Sequence, residues 1–244
     1  MNKLLYKLQL YGFRRLIQFL LGEIHMRIKH VLFGSYSQYN EDIIIDNILI
    51  NKKMGFYVDI GAYDPFRFSN TAHFYKKGWN GINIEPNYLR LNKFDVTRKR
   101  DINLNVGVGK KRKKLPYYEI DPQTLSTFSK KQAFEYKTQG FHIEHISKIS
   151  VIPLADILRM YLKKREIDFM SIDVEGYELN VLQSNDWKLY RPKILCIELS
   201  LIIDENRTIL KREEKIIHYI ASKGYQLVAK TSGNYIYLDR ENIL

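Results

Sequence analysis

Short unbroken apolar runs alternate along this chain with segments whose apolar positions recur at helical spacing, the order expected of strands and helices in an α/β sheet. Phe56 to Ile60 (FYVDI) is an apolar run with β-branched Val58 and Ile60, interrupted only by Asp59, as a parallel strand covered on both faces should be. A helix over Gln38 to Ile50, begun by Ser37 as a cap, precedes it, and a helix over Asn70 to Lys77 follows. Gly81 to Glu85 returns as a second strand, Leu89 to Arg100 reads as helix after Pro86, and a strand near Ile102 to Val108 completes the first half. Lys110 to Pro153 reads as an insertion with strand-like YYEI and ISVIPL stretches on either side of Leu125 to Phe128. The second half continues with helix Leu154 to Lys164, strand Phe169 to Ile172, helix Glu178 to Gln183, strand Lys193 to Leu199 and helix Lys211 to Lys223. A hairpin of Tyr225 to Val228 with Tyr235 to Leu238 closes the chain.

The most informative stretch is Tyr57 to Pro86, YVDIGAYDPFRFSNTAHFYKKGWNGINIEP. Gly61 stops the first strand where a tight turn lets a ligand approach the backbone, and Ser69, Asn70 and Thr71 can cap the next helix with its first N–H groups facing that pocket. The second strand ends in Glu85, a carboxylate suited to the two hydroxyls of a ribose. Asp59, Gly61 and Glu85 then fall at adjacent strand ends. With no G-x-G-x-x-G to seat a pyrophosphate, a nucleoside without phosphates fits better than a dinucleotide.

A third block, Ile167 to Glu178 (IDFMSIDVEGYE), supplies another buried strand ending in a dense acidic turn. Together with SQYNED (Ser37 to Asp42), VDIGAYDP, SNT, GWNGINIEP, LSTFS (Leu125 to Ser129) and GYQLV (Gly224 to Val228), it resembles the FkbM family of S-adenosylmethionine-dependent O-methyltransferases over roughly residues 35 to 240. The resemblance implies a class I methyltransferase fold: a Rossmann-like α/β sandwich with a mostly parallel sheet and an antiparallel C-terminal hairpin. It also implies S-adenosyl-L-methionine as cofactor. Asp59, Gly61 and Ala62 match the motif under the cofactor, Ser69, Asn70 and Thr71 the capping segment, and Glu85 the ribose-binding acid. Asn105 falls where adenine is flanked, and Asp173 matches the acid nearest the methyl group. The chain departs from the family where many members have a second glycine, carrying Asp64 and Pro65 instead.

A sugar hydroxyl is a poor nucleophile at neutral pH, so it needs a carboxylate or histidine base, or a divalent metal such as magnesium that lowers its pKa. Candidates are Asp173, Glu175, Glu178, Glu198, and His142 or His145 of the insertion. Asp173 has the alternative reading of an N-cap for a helix beginning at Glu175, and Glu175 and Glu178 that of first-turn acids complementing its dipole. Cys196, the single cysteine, lies in an apolar strand and reads as core.

Composition fits one α/β domain with decoration: 244 residues, 45% hydrophobic. One cysteine excludes an internal disulfide, and no apolar run reaches the roughly 18 residues of a membrane span, so a cytoplasmic enzyme without export is expected. The net charge of +12 raises nucleic acid as a partner, but no RNA-binding motif or interleaved stacking aromatics accompany it. Lys110 to Lys114 (KKRKK) reads either as a solvated hairpin tip or as a site for an anionic glycan, a lipid-phosphate carrier or a membrane surface. Residues 1–34 form a basic, amphipathic helical arm that packs on the catalytic domain or a second subunit, the preferred reading, or adsorbs to the inner face of an anionic membrane. Residues 35–244 form the methyltransferase-like domain with its substrate-side insertion 110–153. The expected acceptor is a glycan or nucleotide sugar in cell-surface or capsular polysaccharide synthesis. A macrolide-like natural product as acceptor, or a catalytically silent nucleoside-binding protein, are the alternatives.

Overall fold

The computed structural model describes residues 34–50, 52–199 and 211–242; the N-terminal arm expected over 1–34 lies, but for Gly34, outside the described residues. The main sheet is built on β1 (Phe56–Ile60), whose five residues are all buried. Its alternate side chains feed two cores, one on each sheet face. Phe56, Val58 and Ile60 join Leu154, Ile157 and Leu158 of α5 (Leu154–Tyr161), while Tyr57 joins Phe74, Trp79 and Phe169 on the side of α1 (Glu41–Ile48) and α2 (Ala72–Lys76). Cys196 is fully buried in the second of these cores, as its apolar strand suggested.

β1 pairs in parallel with β2 (Asn80–Ile84) and β7 (Phe169–Ile172), β2 with β3 (Ile102–Leu104), and β7 with β8 (Ile194–Glu198). β10 (Asn234–Asp239) runs antiparallel to both β8 and β9 (Tyr225–Lys230), so the seven-stranded order is β3-β2-β1-β7-β8-β10-β9. Counting only these strands, the order is 3-2-1-4-5-7-6, that of the class I methyltransferase fold. α3 (Tyr88–Thr97), α6 (Glu178–Leu182) and α7 (Lys211–Ser222) complete the layers. No helix among the described residues is long and apolar enough to cross a membrane.

The helices expected over Asn70 to Lys77, Leu89 to Arg100 and Leu154 to Lys164 run instead over Ala72–Lys76, Tyr88–Thr97 and Leu154–Tyr161, and two further differences change the architecture. The strand predicted over Ile102 to Val108 is broken at Asn105: β3 stays in the main sheet, while β4 (Gly107–Val108) leaves it to pair with β6 (His142–Ile152). β6 also pairs with β5 (Lys113–Asp121), giving the insertion its own three-stranded sheet. Against that sheet packs α4 (Lys130–Thr138), a helix whose polar sequence gave no apolar stripe; Tyr118, Ile120 and Ala133 form its small core, and Ser129 Oγ caps it at the Gln132 amide, 3.2 Å away. Second, α1 begins three residues later than its pattern suggested. Asn40 turns left-handed at φ 66° before it, and Ser37 instead donates its hydroxyl to Asp42 Oδ1 at 2.8 Å.

Candidate active site

A cavity of about 710 Å³ opens at the carboxyl ends of β1, β2, β7 and β8. On the β1 and β2 side its floor is a set of acids tied down by donors. Glu85, 2% exposed, accepts the backbone N–H groups of Tyr63 at 3.0 Å and Asn87 at 2.7 Å, with the Arg90 guanidinium 3.9 Å away. Burial raises its pKa, against the opposing pull of Arg90 and the two amides. Asp59 accepts the Thr71 hydroxyl at 2.7 Å, and that hydroxyl in turn accepts from the fully buried Arg98 at 2.7 Å. Burial pushes Asp59 up to about 6, opposed by the Thr71 bond and Arg98.

Gly61 lines the cavity, and its lack of a side chain also has a structural cause. With φ +83° its amide donates to the Ile84 carbonyl at 3.0 Å, and a Cβ there would come within 1.7 Å of the Asp173 carbonyl oxygen. Its bareness lets the turn after β1 pass against the turn after β7. Ala62 follows on the cavity lining, its amide also on the Ile84 carbonyl. The loop that lacks the family's second glycine is held by Asp64, which accepts the amides of Phe66 and Arg67, both at 3.1 Å, and Lys93 at 3.0 Å.

The β7 and β8 side is built oppositely. Asp173, Glu175 and Glu198 each bring a carboxylate oxygen within 4.8 Å of the other two. Burial raises the pKa of both Asp173 and Glu198; the contact between them holds Asp173 down and pushes Glu198 further up. Asp173 has surface open to the cavity, yet protein atoms surround its carboxylate closely enough to desolvate it. Burial first, then Asp173, lift Glu175 to about 8; the Tyr136 hydroxyl, which donates to Glu175 Oε2, and Arg212 work against the rise. Arg212 itself is held by Gln132 Oε1 at 2.8 Å and Glu213 at 3.0 Å.

The insertion supplies the far wall. Thr127 donates to the Glu175 carbonyl at 2.7 Å, and Phe128 stands between Tyr117 and Tyr177, ring centroids 4.8 and 5.9 Å away. Gln38, of the SQYNED segment, also lines the cavity, while Glu41 of that segment is buried and ties α1 to the hairpin through Thr231 and Asn234.

Several expected site residues lie elsewhere. Asn105 is exposed and off the cavity lining; it donates to the carbonyls of Glu85 and Pro86 at 3.0 and 2.8 Å, holding the end of β2 where Val106 takes the lining place. Thr71 faces the protein, bonded to Asp59, while Ser69 and Asn70 reach the cavity. The capping amides of Thr71 and Ala72 are occupied by Ser69 Oγ at 3.3 and 3.2 Å, so they do not face a ligand. His142 is exposed at the start of β6 and off the lining, as is His145. The helix starts at Glu178, as its pattern placed it, because Glu175 and Gly176 turn left-handed at φ 50° and 89°; the alternative of Asp173 as a cap for a helix from Glu175 therefore does not hold. Glu178 is buried, accepts the Gly176 amide at 2.7 Å and lines a smaller cavity of about 130 Å³ with Glu175, Glu198 and Arg212. Lys110 to Lys114 are exposed in the turn before β5 and its first residues; β4 and β5 are not paired with each other, so this is no hairpin tip.

The model of the methyltransferase FkbM domain matches residues 59–227, and the chain belongs to that family. No curated protein matches it in sequence. Among solved structures, a methyltransferase FkbM from Methylobacillus flagellatus KT aligns at 18% identity and TM-score 0.47, over 79% of this chain but only 45% of that one. The methyltransferase domain of METTL16 aligns at 8% identity and TM-score 0.42, over 89% and 93% of the two chains. A Haemonchus contortus phosphoethanolamine N-methyltransferase 1, in complex with phosphoethanolamine and S-adenosylhomocysteine, aligns at 11% identity and TM-score 0.34, over 89% of this chain and 44% of that one.

Proposed function

We propose that this chain is an S-adenosylmethionine-dependent O-methyltransferase that acts on a hydroxyl of a sugar, in the making of a cell-surface or capsular polysaccharide. The observation that carries this reading is the meeting, in one cavity, of a donor-held acid at the tip of β2 with a cluster of three close carboxylates at the tips of β7 and β8. The residues fit the cofactor. Glu85 receives only two amide hydrogen bonds on two oxygens, which leaves acceptor capacity toward the cavity for a ribose diol. Asp59, Ala62 and Asn70 would complete the nucleoside side, and the acids opposite suit a cationic sulfonium. When bound, the cofactor supplies an activated methyl group together with its leaving group.

The chain's own residues then have two tasks. Phe128, Tyr117 and Tyr177 offer apolar faces to a sugar ring, while carboxylates accept its hydroxyls, a common division in small-molecule sites. Asp173, which its contact with Glu198 keeps the more readily ionised of the pair, takes the proton that the hydroxyl loses as it attacks. A divalent cation such as magnesium is the competing way to activate the hydroxyl, because three carboxylates within 4.8 Å offer hard oxygen ligands.

The test is a screen of nucleotide sugars and glycans for methyl transfer, run with and without chelator. Methylation of a sugar hydroxyl supports the proposal; transfer only to a non-sugar acceptor overturns it. Turnover that vanishes with chelator and returns with magnesium would make Asp173 a metal ligand and not a base.

A further inference from the structure

Arg90 is 7% exposed, an unusual place for a guanidinium on a surface helix. It stands where three separate segments meet. One nitrogen donates to the Gln123 carbonyl at 2.6 Å and to Gln123 Oε1 at 3.2 Å, gripping the insertion's turn. The other lies 3.9 Å from Glu85 Oε1, and the guanidinium sits over the Tyr63 ring, 4.6 Å from its centroid. Tyr63 is itself in the left-handed region at φ 56°, with its amide on Glu85 Oε2.

The gripped turn leads directly to the acceptor wall. The Gln123 carbonyl that accepts from Arg90 also accepts the Ser126 amide and hydroxyl, at 3.3 and 2.9 Å. The next residue, Thr127, anchors the Glu175 carbonyl. A run of contacts thus spans the cavity from Glu85 through Arg90, Gln123 and Ser126 to Thr127 and Glu175. A planar, two-pronged donor is what makes such a bridge rigid; lysine would keep the charge but not the fork.

We propose that Arg90 is a positioning residue that fastens the insertion's turn to the cofactor acid, so that ligand on Glu85 and order in the acceptor wall are linked. This rests on the reading of Glu85 as the ribose acid. Binding linkage is reciprocal, so tightening at either end must be felt at the other.

The experiment is amide hydrogen exchange of the full chain, with and without S-adenosylhomocysteine, on the parent, Arg90→Lys and Arg90→Met. In ligand-free protein, the Leu125, Ser126 and Thr127 amides should exchange about tenfold faster in Arg90→Lys than in the parent, the size expected for losing a charged hydrogen bond, while β1 and β7 amides stay unchanged. Ligand should slow these three amides in the parent by about fivefold or more and leave them unmoved in Arg90→Lys. Equal turn exchange in parent and Arg90→Lys overturns the proposal, as does ligand protection that survives the substitution. Arg90→Met should reproduce the turn effect and also weaken the ligand; should it fail to fold, the lysine variant decides alone. Failure of the parent to bind the ligand would sink the cofactor reading, and ligand-free exchange would still decide the anchoring.

Discussion

The two ends of the cavity use the same chemical group in opposite ways. At the β2 end, each carboxylate is met by donors: two amides and a guanidinium for Glu85, a hydroxyl backed by buried Arg98 for Asp59. At the β7 and β8 end, carboxylates are met mainly by one another. Burial raises pKa values at both, but at Glu85 the strongest neighbours oppose the rise, whereas at Glu198 all the main neighbours, Asp173, Glu175 and Glu178, add to it. Donor-held acids are fixed acceptors, suited to holding a ligand. Crowded acids bind protons more readily than isolated ones, which suits a group that must take one up.

The sharpest way to break the contrast is to separate the two ends, which touch at Gly61. Gly61→Ala would drive a methyl into the Asp173 carbonyl at a positive φ, both backbone conflicts. It should cost on the order of 4 kcal/mol or more, enough to unfold a marginal domain, and denaturant titration reads it. Next comes the reacting end. With an acceptor in hand, Asp173→Asn should lower turnover by about 10² to 10⁴, because a positioned base supplies that order of rate. Near-normal turnover in a folded variant would move the base to Glu198 or Glu175.

The smallest effect concerns stability and pH. Glu175 rises from the usual 4.5 to about 8 in the folded protein, so between those values the native state holds a proton that the unfolded chain releases. Its contribution is fully present below about 4.5 and is lost as pH climbs toward about 8. The Tm of the parent should therefore fall from pH 6 to pH 8 more than that of Glu175→Gln, which has no charge to bury. Parallel curves for the two would show that Glu175 is solvated.

Much of this was legible in the sequence where one rhythm governs a segment. The mainly apolar runs Phe56 to Ile60 and Phe169 to Ile172 gave their strands to the residue, because strands buried on both faces leave little ambiguity. Asp59, Gly61, Ala62, Glu85 and Asp173 all reach the cavity lining because each stands at the carboxyl end of such a strand. Long-range pairing was not legible. The break at Asn105 depends on Gly107 and Val108 finding Val151 and Ile152, more than forty residues on. Tyr136 reached Glu175 only through the unanticipated α4. Arg90 and Arg98 left a signal that went unread: they fall four residues either side of buried Phe94, on the stripe that includes Leu91, where a helix faces inward.

The most direct test of the division between a holding end and a reacting end is calorimetric titration of S-adenosylhomocysteine into the parent, Glu85→Gln and Asp173→Asn. Glu85→Gln keeps the shape but weakens a charged acceptor, and it should lower affinity by about tenfold. Asp173→Asn should stay within about a few fold of the parent, since a poised base contributes to the reaction more than to holding the ligand. Equal losses in both variants, or unchanged affinity in Glu85→Gln, would contradict the division.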